Sequence, residues 1–342
     1  STSPSSTFIV ITTETMNLLL LSLALLGCAV ATPTFNGENF ATFPAFQRFV
    51  QKFGRKYEGD EFIRRFKIFH ENFKMVEELQ RMERGSAIYG MNQFADLTAE
   101  EFRAQATMRN PMPEAMHTQG LAQTPSGATP TAFDWRDQGA VTPVKNQQQC
   151  GSCWAFSTTG NIEGQWFIKK GALISLSEQE LVDCDHVDQG CDGGLPSQAY
   201  QQIMLLGGLT TEANYPYTAR GGSCSFTKNQ AVVYINSSVV ISSDEGEMAT
   251  WLAANGPISI GINAAMMQFY MGGVAHPWKI LCNPNKLDHG VLIVGYGVEG
   301  TKPYWIIKNS WGPTWGEKGY YRIYRGDGSC GVNKMPTSAV VN

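Results

Sequence analysis

Two cysteines three positions apart, Cys150 and Cys153, stand in the stretch Gln147-Gln148-Gln149-Cys150-Gly151-Ser152-Cys153-Trp154-Ala155-Phe156. Three chemistries fit such a pair: dithiol redox exchange, half of a zinc site, or a nucleophilic thiol. A zinc site needs a second Cys/His pair at ligand spacing, and the chain offers none. Cys153 follows a Gly-Ser turn and heads a run, Trp154 to Ile168, that reads as a helix. Ala155, Ile162 and Trp166 fall on one face of it, and Lys169-Lys170-Gly171 is its stop. A thiol at a helix N-terminus lies in the positive end of the helix dipole, which favours the attacking thiolate.

A nucleophilic thiol needs a base. Downstream of Cys153 the histidines are His186, in an acidic loop bounded by cysteines, His276, before a proline in a turn, and His289. The first two read as surface residues. His289 opens the apolar run Gly290-Val291-Leu292-Ile293-Val294-Gly295, where a polar ring at the mouth of a buried strand can face a cleft. Asn309, in Lys308-Asn309-Ser310-Trp311-Gly312, is the candidate to orient the imidazole, with Trp311 covering that bond from water. An oxyanion forming on the attacked carbonyl needs donors, for which Gln147 offers a side-chain amide and Cys153 its backbone N–H.

The elements that must position these residues fall into two regions. The chain has 342 residues, 43% hydrophobic and 16% charged, with a formal net charge of -4, so no basic excess marks it for nucleic acid. Leu18 to Leu26 is almost continuously apolar and runs to the small-x-small site Ala29-Val30-Ala31; it is too short to span a bilayer and reads as a secretory signal peptide, 16–31. Residues 1–15 precede Met16 and read as lying outside the natural product. In 32–128 the apolar positions Phe62, Phe66, Phe69, Phe73 and Val76 predict a long amphipathic helix, with Glu61 and Arg65 as an i, i+4 pair. Thr98 and Glu101 predict a capping box opening another helix. Residues 107–130, with Pro111, Pro113, Pro125 and Pro130, read as an exposed linker that a protease can cut.

From Phe133 the composition turns to Cys, Gly and Trp. Residues 138–235 read as helix and loop, including a capped segment Ser175 to Val182. Strand-like runs follow at Val232–Ile235, Ile258–Ile262, Val291–Gly295, Tyr304–Lys308 and Gly319–Tyr324. A helical half beside a sheet half predicts a cleft between them. Signal cleavage would remove Cys28 and leave Cys150, Cys153, Cys184, Cys191, Cys224, Cys282 and Cys330. That odd number in an oxidising compartment implies a free thiol but does not say which cysteine carries it. A lone sequon begins at Asn236.

Gln147, the Cys150-Gly151-Ser152-Cys153-Trp154 box, Asp288-His289-Gly290 and Asn309-Ser310-Trp311-Gly312 together resemble the papain family of cysteine proteases, from about Glu61 to Val332. Upstream, Glu61, Arg65, Phe69, Asn72 and Gln80 match the family's prosegment helix motif, with Val76 where that pattern has Ala. Gly90, Asn92, Phe94 and Asp96 match its second prosegment motif, and the whole is similar to the cathepsin F-like branch. The resemblance implies an α+β, papain-like two-domain fold, one helical domain and one antiparallel β-barrel-like domain, behind an inhibitory helical propeptide at 32–128 and ahead of a peptidase at 129–342. It implies catalysis by Gln147, Cys153, His289 and Asn309. It also implies the disulfides Cys150–Cys191, Cys184–Cys224 and Cys282–Cys330, leaving Cys153 free. Gly193 and Gly194 would bond an extended substrate, while Leu195, Pro196, Gly261, Leu287, Gly290 and Met335 would line an uncharged pocket for bulky apolar P2 residues, and Trp315 would flank the leaving-group side. No cofactor or metal is implied. The implied partners are peptide and protein substrates, the chain's own propeptide and cystatin-type inhibitors, for a monomeric enzyme of the lysosome or extracellular space with no nucleic-acid or membrane partner.

Overall fold

The computed structural model describes residues 41–110, 112 and 120–342. The expected signal peptide, the residues ahead of it and most of 111–119 lie outside the described residues. The chain divides into two units at His70/Glu71.

In the first unit, helix α1 (Phe43–Lys52) and the opening turns of α2 (Gly59–Met82) enclose a phenylalanine core. Phe46 lies 5.3 Å from both Phe66 and Phe69, ring centre to ring centre, and Phe49 lies 5.2 Å from Phe69. Those are the α2 positions that the 4, 3, 4, 3 spacing selects. Arg65 Nε donates to Glu61 Oε1 at 2.6 Å, as the i, i+4 spacing requires.

In the second unit, the last turns of α2 reach the chain that follows through two amides. Asn72 Nδ2 donates to Ala95 O (2.8 Å) and Leu97 O (2.9 Å), and Gln80 donates to Ala87 O and accepts from Tyr89 N. Strand β1 (Ile88–Tyr89) pairs antiparallel with the strand Tyr270–Gly272. Helix α3 (Ala99–Ala106) starts at the expected box: Glu101 N donates to Thr98 Oγ1 at 3.1 Å and Thr98 N to Glu101 Oε2 at 3.0 Å.

After β2 (Phe133–Asp134) comes α4 (Cys153–Lys170), which ends where Gly171 adopts φ 73°. The sequence predicts one apolar face, whereas the helix is buried on all sides from Cys153 to Gln165 apart from a partly exposed Phe156. Its polar residues have partners inside: Ser157 Oγ donates to Val291 O (2.6 Å) and Asn161 Nδ2 to Pro257 O (2.8 Å). Small residues let the sheet come close. A methyl group at Gly160 would stand 3.0 Å from Leu292 Cδ2, and one at Gly164 would stand 2.9 Å from Pro257 Cγ. Helices α5 (Glu178–Cys184, capped by Ser177) and α6 (Pro196–Leu206) complete the helical part.

The remaining elements are β3 (Ser237–Val240), α7 (Glu245–Asn255), β4 (Ile258–Ile262), β5 (Tyr270–Gly272), β6 (Val274–Ala275), β7 (His289–Glu299), β8 (Lys302–Lys308), β9 (Tyr320–Tyr324) and β10 (Thr337–Val340). One sheet runs β3-β10-β4-β7-β8-β9-β6 with β2 added on β7, and every pairing but β6–β9 is antiparallel. Val232–Ile235 is not a strand. Val232 N and Val233 N both turn to Leu209 O, a single bridge that pins the chain behind α6, and pairing begins only at Ser237. The covalent links are Cys150–Cys191, Cys184–Cys224 and Cys282–Cys330, and Cys153 is a buried free thiol.

Candidate active site

Cys153 is the first residue of α4, and the loop before it is held from behind. Tyr217 Oη lies 2.6 Å from Ser152 Oγ and donates to Gln147 O at 2.9 Å. Gln147 is fully buried; its Oε1 accepts from Ser310 Oγ (2.6 Å) and its Nε2 donates to Cys150 O (3.0 Å). The amide has a second N–H that neither of these bonds uses.

His289 opens β7 opposite Ile262 of β4. Its Nε2 lies 2.7 Å from Asn309 Oδ1, and the ring stacks on Trp311 with centroids 4.7 Å apart and an interplanar angle of 25°. An amide oxygen only accepts, so Nε2 carries the proton, and Nδ1 is buried with no hydrogen-bond partner among the described residues. The next residue ties this strand to the nucleophile: Gly290 N–H donates to Cys153 Sγ at 3.3 Å.

Residues 106–110 and 112 lie over this cluster. Trp311 Nε1 donates to Ala106 O (2.8 Å), Met108 N to Asp288 O (2.8 Å) and Met112 N to Leu287 O (2.9 Å). Met108 packs on the glycine pair, with Gly194 N 3.5 Å from its sulfur. Met112 sits over Gly261, where a methyl group would meet its sulfur at 2.6 Å. Both methionines share one apolar cluster with Cys153, Trp154, Leu195, Leu287 and Met335. The expectation of an exposed linker from residue 107 is therefore corrected: Thr107, Met108 and Met112 are buried, because the cleft walls offer their side chains an apolar seat and their backbone hydrogen-bond partners.

This cover decides the charge state. Burial pushes the Cys153 thiol up to about 12, against the bond from Gly290, and burial pulls the His289 imidazole down to about 4, against the bond to Asn309. The dipole argument for a thiolate loses to desolvation while the cleft is filled, and the pair is thiol and neutral imidazole.

The other anticipated residues are distributed as follows. Pro196 opens α6 and is buried. Gly290 stands against the backbone of Cys153 and Trp154. Trp315 is fully buried behind Trp311, 4.8 Å away and edge-on, in a core shared with Tyr270. His186 is exposed, whereas His276 is partly buried, stacked 3.9 Å from Tyr324 and 2.9 Å from Asp327 Oδ2. Asn236 is exposed, its Oδ1 accepting from Asn342 N. Among the described residues no three His, Cys, Asp or Glu converge on a metal position.

The papain family cysteine protease model matches residues 129–340, a span that includes every residue of this cluster outside the 106–112 cover. The chain belongs to the papain family. Residues 46–102 match the cathepsin propeptide inhibitor domain (I29), so this papain-family chain carries a propeptide ahead of its peptidase region. Mouse cathepsin F is 52% identical over 302 residues, 87% of this chain and 65% of that protein; cathepsin F of Drosophila melanogaster is 52% identical, over 86% of this chain and 50% of its own length. The chain thus spans between half and two thirds of these relatives. Cysteine proteinase 1 of Dictyostelium discoideum is 44% identical with 92% of its length covered. Among solved structures, digestive procathepsin L2 from Tenebrio molitor larval midgut superposes with TM-score 0.81 at 37% identity, covering 87% of this chain and 99% of that one.

Several residues that shape the family site escaped the sequence reading. Tyr217 holds the Gln147 loop and carries no local pattern that marks it, while Ser310, legible only as part of the Asn309-Ser310-Trp311-Gly312 motif, holds the Gln147 side-chain amide. Lys145 Nζ bridges Glu163 (3.1 Å) and Glu178 (2.7 Å), both almost wholly buried, and so joins the Gln147 loop to α4 and α5. Removing one partner of a buried ion pair leaves the other charge uncompensated. Lys145→Met is expected to destabilise the protein by about 3–5 kcal/mol, read by urea unfolding; a loss under about 1 kcal/mol would show that the bridge is surface-like in its energetics.

Proposed function

We propose that the chain is the inactive precursor of a lysosomal or secreted cysteine endopeptidase that prefers bulky apolar residues at P2. In this reading 16–31 is the signal peptide, 32–128 the inhibitory propeptide and 129–342 the peptidase. The observation that carries it is the convergence of Cys153, His289, Asn309 and Gln147 beneath residues 106–110 and 112, whose Met108 and Met112 occupy the place where a substrate would lie.

Once the cover leaves, water returns to the cleft and the proton moves from Cys153 Sγ to His289 Nδ1, giving a thiolate at a helix N-terminus beside an imidazolium held by Asn309. The thiolate attacks the peptide carbonyl carbon. The Cys153 backbone N–H and the Gln147 amide donate to the oxyanion, and the imidazolium gives its proton to the departing amine as the C–N bond breaks. Water then adds to the thioester with His289 taking its proton, and the free acid and Cys153 are regenerated. Leu195, Gly261, Leu287 and Met335 present no charge, which supports an apolar P2 preference. Cystatin-type inhibitors are its expected partners, Asn236 a glycan acceptor, and the monomer its working form. The Cys150–Cys191 bond argues against a dithiol oxidoreductase.

Acid activation has a local basis. Segment 83–86 is held on the peptidase by Ser86, which donates to Glu299, and by Lys302 Nζ on Arg84 O (3.0 Å) and Gly85 O (2.7 Å). The Ser86 hydroxyl and then Arg322 hold the Glu299 carboxyl below its ordinary value. A depressed carboxyl stabilises the docked state above its free pKa and loses that contribution as pH falls, so acid loosens the segment. Incubation of the purified chain at about pH 4–5, around the ordinary carboxylate pKa, is expected to yield hydrolysis together with a mass drop from cleavage within 107–130. The product should prefer Leu over Arg at P2. Activity without a mass change, or equal use of Arg, would defeat the reading.

A further inference from the structure

Between Cys184 and the glycine edge at Gly193 the chain makes a short loop in which two carboxyl groups are buried, close enough for Asp185 to act on Asp188. Asp185 is 5% exposed and Asp188 8%. Each spends one oxygen on the backbone: Asp185 Oδ1 accepts from Val187 N (2.9 Å) and Asp188 N (3.0 Å), and Asp188 Oδ1 accepts from Leu195 N (2.8 Å). The other oxygen of each, Oδ2, is buried with no hydrogen-bond partner among the described residues. Two such atoms on neighbouring carboxyls satisfy each other when one proton lies between them, and they repel when none does.

The loop borders the cleft. A methyl group on Gly194 would stand 2.8 Å from Asp188 Cβ and 2.6 Å from Trp154 Cδ2, so the glycine edge is wedged between Asp188 and the residue that follows the nucleophile. Trp154 Nε1 donates to Gly190 O (3.0 Å) and Gln189 N to Gly193 O (2.8 Å), so Trp154 ties this loop to α4 while Asp188 holds the far end of the glycine edge through Leu195 N.

We propose that Asp188 is a positioning residue for the substrate-binding edge, holding Gly194 and Leu195 in place through one proton that it shares with Asp185. The inference rests on the protease reading of the same cleft and adds a pH limit to it. Other charged groups nearby are engaged elsewhere or exposed. Asp183 of α5 accepts from Tyr215 Oη and Gly222 N, Asp192 pairs with Arg109 at 2.9 Å, and His186 faces solvent. Among the described residues no basic side chain acts on Asp188, and α4 and α6 contribute none. Burial, reinforced by Asp185, pushes the Asp188 carboxyl up to about 9. A raised carboxyl stabilises the fold fully below its unfolded pKa, and the contribution fades as pH rises through the folded one. The lock therefore weakens from about pH 4, the free carboxyl value, toward about 9.

Asparagine reads the lock without a proton. In Asp188→Asn the amide oxygen still accepts from Leu195 N, and its N–H donates to Asp185 at every pH. Asp185→Asn does the same from the other side, whereas the double Asn variant turns two N–H groups toward each other. The test uses the full-length chain made inactive by Cys153→Ala, with thermal midpoints measured across that pH window. The midpoint of the parent should fall with rising pH, both single Asn variants should flatten that fall, and the double variant should be the least stable. In the active chain after acid processing, Asp188→Ala should raise KM for an apolar-P2 peptide roughly ten-fold with kcat little changed, the scale of one lost hydrogen bond. A midpoint curve for Asp188→Asn parallel to that of the parent overturns the proposal, as does an unchanged KM in Asp188→Ala. The midpoints are read in a catalytically dead protein, so a chain that hydrolyses nothing would sink the protease reading and leave this one standing.

Discussion

Alkylation of Cys153 by iodoacetamide at neutral pH should be at least about 10³-fold slower in the full chain than after removal of residues up to 128, because the reacting species is the thiolate. With the thiol pushed up to about 12 by burial, the thiolate fraction near pH 7 is about one in 10⁵. In the open cleft the helix dipole and the imidazolium place a cysteine of this kind in the range of about 3.5–7.5, mostly ionised at the same pH. Coverage by Met108 and Met112 also slows the reagent, and the pH dependence separates the two effects. A deprotonation limit gives a rate that climbs about ten-fold per pH unit toward the folded pKa, whereas pure coverage gives a flat, low rate. Labelling is read by mass at the Cys153 peptide, since the other cysteines of the folded region are bridged. Cys153→Ala should remove both the label and all peptide hydrolysis while leaving the fold intact. Equal labelling rates before and after processing would mean that the cover does not control the thiol.

The burial that holds Cys153 as a thiol explains why the site was easier to find in the sequence than to describe from it. Cys153, His289 and Asn309 were legible because each sits in a short motif whose residue types answer a chemical need, and the structure brings the latter two within 2.7 Å. The Thr98–Glu101 cap and the phenylalanine rhythm of α2 were legible because both are local. Helix α4 was misjudged as one-sided because burial of its polar face depends on partners far along the chain, such as Val291 and Pro257, which no helical window contains. Val232–Ile235 has strand composition, yet the register of β10 is taken by Ser237–Val240. Met108 and Met112 read as linker because the chain around them lacks periodicity; the cleft they fill supplies the order that their own sequence does not.

Gly290→Ala is expected to cost about 10²-fold or more in kcat/KM, although it adds only one methyl group. That methyl would stand 3.0 Å from Trp154 Cα, 3.1 Å from Trp154 N and 3.2 Å from the Cys153 carbonyl carbon. All three are backbone atoms at the first turn of α4, so no side chain can swing aside, and relief requires moving β7 away from the helix. His289 precedes Gly290 on the strand and Cys153 precedes Trp154 on the helix, so the same shift separates base from nucleophile and stretches the 3.3 Å contact between Gly290 N and Cys153 Sγ. Overpacking of this kind typically costs about 1–3 kcal/mol in stability, which leaves a folded protein in which the activity loss can be measured. Gly160→Ala is the matched control on the same helix. Its methyl would also meet an atom at 3.0 Å, but that atom is the Cδ2 end of the Leu292 side chain, which can rotate. Activity in Gly160→Ala should stay within a few-fold of the parent. If the two substitutions cost the same, the close approach of β7 to the head of α4 is ordinary packing, and the alignment of Cys153 with His289 is set elsewhere.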